Sequence, residues 1–145
     1  MRVTVRPAPG LRDALTMRPI RNSCRSFMTR DQSEIGWLRQ VWWWATRDSD
    51  LAPYLLDEAG HAVGYGIILT AGRKGWLTGG LLPDARGRGL GKALFQGLCR
   101  HAKRADLHPM LEVLKNNPRA ERLYHSLGFK TIRETENVYI MELPR

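Results

Sequence analysis

The sequence predicts an α/β domain over residues 1–145, because strand-like and helix-like segments alternate along it. An apolar stretch leads into a glycine-rich loop, and the residues after this loop have the apolar spacing of an amphipathic helix. A second helical pattern follows a short apolar run and is bounded by asparagine and glycine. The length suffices for one self-sufficient core, and no apolar run approaches the ~20 residues that span a membrane.

The first half of the chain carries the weaker patterns. Met1–Val5 is a strand candidate, and Leu11–Arg25 is loosely helical with an interruption expected at Pro19. Ser33–Thr46 is predicted as a helix, since polar cap-type residues precede apolar positions at helical spacing. Four tryptophans lie in this segment, and an exposed one would favour a homodimer over a monomer.

A β-hairpin is predicted next. Leu51–Leu56 and Ala62–Leu69 flank the turn-rich tetrad Asp57–Gly60. The strand Trp76–Leu82 then delivers the chain to the glycine-rich loop. Its Thr78-Gly79-Gly80 segment predicts a β-bulge or a close backbone approach, because glycine gives a strand nothing to pack.

The later segments have clearer boundaries. They are a helix, a short buried strand, a second helix and one or two terminal strands: Gly91–Arg104, Met110–Leu114, Pro118–Leu127 and Thr131–Leu143. Asn117 is expected to cap the second helix, Pro118 suits its first position, and Gly128 suits its C-cap.

The loop Arg86-Gly87-Arg88-Gly89-Leu90-Gly91 is suited to an anionic ligand. Successive backbone N–H groups at the start of a helix bind phosphate, and the glycines let the phosphate approach the backbone. Arg86 and Arg88 add potential charge-assisted hydrogen bonds. A Walker A loop is excluded, because its first glycine position holds Arg86 and its hydroxyl position holds Ala93. A Rossmann fingerprint is excluded because Lys92 stands at its third glycine.

The loop fits the pattern R-x-x-G-x-G, and in this the chain resembles the GNAT family of acetyl-CoA-dependent N-acetyltransferases. Arg86, Gly89 and Gly91 match that family's pyrophosphate-loop signature. A second signature is matched in order and spacing by Leu111-Glu112-Val113, Asn117, Ala120, Leu123-Tyr124 and Gly128-Phe129. The resemblance extends from about Trp76 to the C-terminus.

The resemblance implies a GNAT fold, a mixed and mainly antiparallel sheet splayed at its centre, with helices on both faces. It implies that the pantetheine arm of acetyl-CoA pairs with the backbone of the strand Trp76–Leu82. The residues expected to bind acetyl-CoA are Leu81, Leu82, Arg86, Gly87, Arg88, Gly89, Leu90, Gly91, Lys92, Asn117 and Tyr124.

Tyr124 is the candidate general acid. A phenol with a pKa near ~10 is protonated at neutral pH and can donate to a thiolate whose conjugate acid lies near ~8.5. Glu112 is the candidate base, since the resemblance places a carboxylate there in some members. The strand Trp76–Leu82 holds no acidic residue, so a water relay is the alternative to Glu112.

The predicted activity is direct acetyl transfer from acetyl-CoA to a primary amine in a ternary complex. The acceptor stays open between a metabolite, an antibiotic, a protein N-terminus and a lysine, and another acyl-CoA donor is possible. The alternative is a basic nucleic-acid-binding protein, or a tRNA- or protein-modifying protein, with the same fold.

The net charge of +9 is the compositional outlier. The basic residues are dispersed rather than interleaved with aromatics, so a solvated basic surface is favoured over a nucleic-acid interface. Cys24 and Cys99 fit a reducing cytosol, which together with the lack of a signal-peptide pattern predicts a cytoplasmic location. No metal is expected, because the histidines lack ligand spacing: His61, His101, His108 and His125.

Overall fold

A computed structural model describes residues 3–24, 45 and 50–144, which form one mixed sheet with helices packed against it. Seven strands run in the order β1-β2-β3-β4-β5-β7-β6. Their bounds are Val3–Pro7, Leu51–Glu58, His61–Ala71, Lys74–Leu81, His108–Leu114, Lys130–Glu134 and Val138–Glu142 for β1 to β7. All neighbouring pairs are antiparallel except β4 with β5, which confirms a mixed, mainly antiparallel sheet.

Helices cover both faces of the sheet. They are α1 (Leu11–Ser23), α2 (Leu90–Arg104) and α3 (Pro118–Ser126), and a 3-10 turn, Pro83–Ala85, follows β4. Side chains alternate between the faces of a strand. Leu55 accordingly joins the core cluster beneath α1, whereas Leu56 joins the larger cluster beneath α2.

The sheet opens between β4 and β5. The two strands pair only over Lys74–Trp76 and His108–Met110. Beyond Trp76, β4 continues to Leu81 paired with β3 alone, and β5 pairs with β7 alone. The gap confirms the expected splay, and among the described residues it leaves one edge of β4 without a strand partner.

Several sequence-based boundaries need correction. Helix α1 runs through Pro19 to Ser23 without interruption, because Met17 and Ile20 are buried against the sheet and this packing offsets the proline. The C-cap of α3 is Leu127, and Gly128 follows it with φ of +98°. The expected helix Ser33–Thr46 falls, apart from Ala45, outside the described residues.

The glycine pair in β4 makes a close backbone approach rather than a bulge. The register between β3 and β4 runs without a shift. A Cβ at Gly79 would lie 2.5 Å from the carbonyl oxygen of Tyr65, and a Cβ at Gly80 would overlap Cys24 Sγ. The two glycines therefore let β3 and the end of α1 lie close to β4.

Candidate active site

A cavity of about 590 Å³ occupies the opening between β4 and β5. It is lined by the second half of β4, the glycine-rich loop, the start of α2, part of β5 and one side of α3. Nine of the site residues expected from the sequence line it: Leu81, Arg86, Gly87, Gly89, Gly91, Lys92, Glu112, Asn117 and Tyr124. Leu82, Arg88 and Leu90 are not among the lining residues.

The glycine-rich loop has a backbone conformation that residues other than glycine rarely adopt. Gly87 and Gly89 have φ of +78° and +79°, in the left-handed region that favours glycine. Gly89 is also the N-cap of α2, so the positive end of this helix faces the cavity. A Cβ at Gly89 would meet no atom within 4 Å, so the space above this backbone is open.

The two arginines of the loop are engaged by the protein itself. Arg86 donates from Nε to the Leu81 carbonyl oxygen at 3.2 Å and from Nη2 to the Ser23 carbonyl oxygen at 3.0 Å. Arg88 forms a bidentate pair with Glu58, at 2.8 and 3.1 Å. Arg86 thus joins the end of α1 to the end of β4, and Arg88 joins the loop to β2.

Leu82 and Leu90 have structural positions beside the loop. The Leu82 N–H donates to the Val63 carbonyl oxygen at 2.8 Å, so it extends the pairing with β3. Leu90 is buried in the core beneath α2. Their contacts hold the loop against the sheet.

Tyr124 lies in the last turn of α3, and two phenylalanines contact its ring. It meets Phe95 of α2 edge-on at 4.9 Å between ring centroids, and Phe129 at 6.2 Å. Burial raises the pKa of the Tyr124 phenol, and the nearby Tyr65 adds to the increase. The hydroxyl is therefore protonated throughout the neutral range.

Asn117 caps the helix that carries Tyr124. Its Oδ1 accepts a hydrogen bond from the Ala120 N–H at 3.3 Å, as expected for an N-cap. Because Asn117 also lines the cavity, the N-terminus of α3 faces the same space as the N-terminus of α2. Two helix N-termini thus contribute positive potential to it.

Glu112 is the one carboxylate among the described lining residues. It is half-buried in β5, two residues beyond Met110, where β5 stops pairing with β4. The lining cations are in the loop region and the start of α3: Arg86, Lys92 and Arg119. The cavity therefore combines a cationic region at the loop with a carboxylate near the point where the strands separate.

Among the lining residues that had not been assigned to the site from the sequence, Arg119 and Cys24 carry polar side-chain groups. Arg119 lies two residues after Asn117, so its place in the second motif was a usable signal. Cys24 reaches the cavity from the end of α1, where its Sγ donates to the Leu81 carbonyl oxygen at 3.2 Å. No sequence pattern connects Cys24 to the motifs, because the contact joins segments far apart in the chain.

The family model for acetyltransferases of the GNAT family matches residues 16–129. The chain therefore belongs to the GNAT family of acetyltransferases, enzymes that use acetyl-CoA as the acyl donor. No curated protein matches the chain in sequence.

Solved structures share the fold at low identity. A Salmonella typhimurium protein assigned as an acetyltransferase, solved with its cofactor acetyl-CoA, is 20% identical with a TM-score of 0.80, covering 99% of this chain and 94% of that one. Spermidine N-acetyltransferase from Vibrio cholerae, in complex with CoA and spermine, is 18% identical with a TM-score of 0.80, covering 97% and 94%. Ribosomal-protein-alanine N-acetyltransferase from Brucella melitensis is 18% identical with a TM-score of 0.79, covering 96% and 98%.

The cavity fits a diphosphate-bearing thioester. The positive-φ glycines, two helix N-termini and lining cations suit the diphosphate, and the unpaired edge of β4 offers backbone groups to an extended arm. Within the described ranges, no helix is long and apolar enough to cross a membrane. The same residues contain no group of three or more side chains suited to hold a metal ion.

Proposed function

We propose that this protein transfers an acetyl group from acetyl-CoA directly to a primary amine, with both substrates bound in one ternary complex. The observation that carries the proposal is the single cavity wall shared by the loop glycines, Tyr124 and Glu112. Acetyl-CoA supplies an activated thioester when bound. The protein then has to hold the diphosphate, protonate the departing sulfur and accept a proton from the amine.

The loop residues hold the donor. Backbone N–H groups from Arg86 to Gly91 bind the diphosphate together with the positive end of α2. Lys92, in the first turn of that helix, adds a charge at the cavity wall. The second half of β4, which ends at Leu81, offers the backbone groups of its unpaired edge to the pantetheine arm. The Leu81 carbonyl oxygen itself already accepts hydrogen bonds from Cys24 Sγ and Arg86 Nε.

Tyr124 Oη donates the proton that the departing sulfur requires. The raised pKa of Tyr124 keeps the donor form populated at neutral pH. Burial also raises the proton affinity of a thiolate formed in the same cavity, so the transfer from phenol to sulfur stays near balance. The contacts with Phe95 and Phe129 fix the ring, so the hydroxyl needs little reorganisation.

Glu112 accepts the amine proton, directly or through a water molecule. An alkyl amine arrives mostly as a cation, and a carboxylate in the cavity both attracts it and takes its proton. The carboxylate faces a cavity whose other charged lining residues are cations. Amine and donor are thereby drawn to different parts of one cavity.

The acceptor class is a primary amine of a small molecule or of a protein. Two proteins of the same fold are a spermidine N-acetyltransferase solved with spermine and a ribosomal-protein-alanine N-acetyltransferase, and both kinds of acceptor belong in the first amine panel. The assay mixes the enzyme with acetyl-CoA and each amine and detects the free thiol. Acetyl-CoA turnover that no amine stimulates would contradict the proposal.

Tyr124→Phe tests the proposed acid. The phenyl ring keeps the contacts with Phe95 and Phe129 but has no proton to give, so turnover should fall by about 10²-fold. The affinity for CoA, measured by calorimetry, should stay within about twofold. Tyr139→Phe is the matched control, because Tyr139 lies on β7 beside Lys115 and outside the cavity lining.

A Tyr124→Phe enzyme as fast as the Tyr139→Phe enzyme would remove Tyr124 from the mechanism. A loss of turnover matched by loss of CoA affinity would instead assign Tyr124 a binding role.

A further inference from the structure

Cationic side chains that are dispersed along the sequence meet at one end of the sheet. Two lie where β3 turns into β4 and three lie at the end of α2. The fold joins the two segments, because the His108 N–H donates to the Arg73 carbonyl oxygen at 2.7 Å and Leu107 lies against Gly75. The exposed cations of this surface, the basic end of the sheet, are Arg73, Lys74, Arg100, Lys103 and Arg104.

The positive charge of the basic end is not neutralised by its surroundings. Residues 71–75 and 100–108 contain one acidic residue, Asp106, against the five cations. Elsewhere a cation such as Arg88 pairs with a carboxylate, here that of Glu58. Among the residues that the structure describes, none of the five cations forms an ion pair. Their charge is therefore available to an anion outside the protein.

Stabilisation of the helix explains only part of this cluster. Lys103 and Arg104 lie in the last turn of α2, where the helix dipole favours a cation. Arg73 and Lys74 lie outside any helix, and Arg100 lies one turn earlier. The dipole thus leaves three of the five cations unexplained.

The basic end is separate from the cavity. Helix α2 begins at the glycine-rich loop and has 15 residues, so its two ends are about 22 Å apart. None of the five cations lines the cavity. An anion bound at the basic end therefore leaves the loop free for the acyl donor.

The composition of the basic end indicates which anion fits. Guanidinium and ammonium groups bind phosphate oxygens, the first as a fork and the second as a point charge. Residues 71–75 and 100–108 contain no Trp, Tyr or Phe on which unpaired bases could stack. Their one large aliphatic residue, Leu107, is half-buried, so this surface also lacks the apolar anchors of protein interfaces and membrane-surface helices.

We propose that the basic end binds the phosphate backbone of a double-helical nucleic acid, without reading its sequence. RNA and DNA duplexes present the same phosphate chemistry, and both are probes in the test. The contact would hold the protein on a nucleic acid or on a nucleic-acid-containing assembly while the cavity, at the other end of α2, stays open. This inference concerns a second surface and does not depend on the proposed function.

The test removes the three α2 cations together, as Arg100→Gln, Lys103→Gln and Arg104→Gln in one protein. The matched control loses the same charge from exposed residues of α1, α3 and β6, namely by Arg12→Gln, Arg122→Gln and Arg133→Gln. Fluorescence anisotropy measures binding to labelled RNA and DNA duplexes of about 20 base pairs in about 50 mM salt. The α2 variant should bind at least about tenfold more weakly than the control.

The salt dependence of binding gives a second readout. Each lost phosphate contact makes the slope of log K against log salt concentration shallower by about 0.9, so the α2 variant should differ from the parent by about 2.7. The control should keep the slope of the parent. Arg73→Gln with Lys74→Gln should differ by about 1.8, and this variant leaves the α2 helix intact.

Equal duplex affinities for the α2 variant and its control would overturn the inference, since net charge alone would then explain the binding. Tighter binding to a single strand than to either duplex would overturn it as well, as would binding to anionic phospholipid vesicles without binding to duplexes. Acetyl transfer to a small amine should be the same in all variants, because none of the substituted residues lines the cavity. Duplex binding and acetyl transfer are separate measurements, so failure of one leaves the other proposal standing.

Discussion

Glu112 stands out among the residues of the cavity because its charge opposes that of the whole protein. The chain carries a net charge of +9, and the other charged lining residues are cations. A cationic amine would be repelled from such a cavity unless a carboxylate offset the potential locally. Glu112 therefore has two proposed tasks, namely to admit the protonated amine and to accept its proton.

The Glu112→Gln substitution distinguishes these two tasks from a purely structural role of Glu112. The amide keeps the shape of the side chain but neither attracts the ammonium group nor takes its proton, so kcat/KM for the amine should fall by about 10²-fold at pH 7. The loss should diminish as the pH approaches the pKa of the amine, since free amine then becomes abundant. Steady-state rates across pH measure this, and the CoA-induced thermal shift should be unchanged.

A Glu112→Gln enzyme with unchanged kcat/KM and an unchanged pH profile would assign proton removal to water alone. A loss that stays constant with pH would contradict the role of Glu112 as a base.

Arg86 illustrates a limit of sequence interpretation at the level of single residues. The motif predicted its position beside the loop, and the side chain does line the cavity. Its hydrogen bonds to Ser23 and Leu81 carbonyl oxygens could not be predicted, because they depend on where α1 ends in space. A motif fixes backbone geometry more strongly than it fixes the partners of a long side chain.

Strand β4 connects the end of helix α1 to the glycine-rich loop. Its glycines allow Cys24 to approach so closely that any Cβ at Gly80 overlaps Sγ. Cys24 and Arg86 both donate to the Leu81 carbonyl oxygen in the same corner. The end of α1, the end of β4 and the loop are thereby fixed relative to one another.

Gly80→Ala should destabilise the protein through this contact. Overpacking of a close approach costs roughly 1–3 kcal/mol, measured as the free energy of unfolding in urea. Cys24→Ala removes Sγ, so Gly80→Ala should cost less in the Cys24→Ala background than in the parent. An equal loss of stability on Gly80→Ala in both backgrounds would show that the contact with Cys24 Sγ does not limit the size of residue 80.

The elements predicted well from sequence are those with strong local signals. The hairpin, the helix after the loop, the strand before Asn117 and the terminal strands are confirmed, with boundaries that moved by a few residues. The expected interruption at Pro19 was wrong because a local signal was overridden. Burial of α1 against the sheet outweighs the tendency of proline to break a helix. The splay itself followed only from the family resemblance, since no local pattern records which strand edge stays unpaired.

At the scale of the whole molecule, packing on both faces of the sheet keeps ionisable groups neutral, and the effect is largest at three of the described residues. Tyr65 lies in the cluster beneath α1, whereas Cys99 and Tyr124 lie on the side of α2 and α3. Burial raises the pKa of both tyrosines, and it raises the pKa of Cys99 to about 11. Each group thus favours the folded state in its protonated form.

The sign of the resulting pH dependence follows from proton linkage. A folded-state pKa above the unfolded value means that the native protein binds more protons in the alkaline range, so stability falls as pH rises. The contribution of Cys99 is fully present below its unfolded value of 9.0 and is lost up to its folded pKa of about 11. The tyrosines add a further loss that begins near their unfolded value of 10.0.

We therefore expect the free energy of unfolding to decline from about pH 9 upward, by at most ~1.4 kcal/mol per pH unit for each group that titrates. Cys99→Ala should flatten the curve between pH 9 and 11, because the thiol no longer ionises on unfolding, while the decline at higher pH persists through the tyrosines. Urea unfolding at a series of pH values gives the slope of the free energy of unfolding against pH for the parent and for Cys99→Ala. The smaller side chain can lower the stability by a constant amount, but a constant does not change this slope. Parallel curves for the parent and Cys99→Ala would mean that the thiol titrates alike in both states and that burial at this position does not oppose its charge.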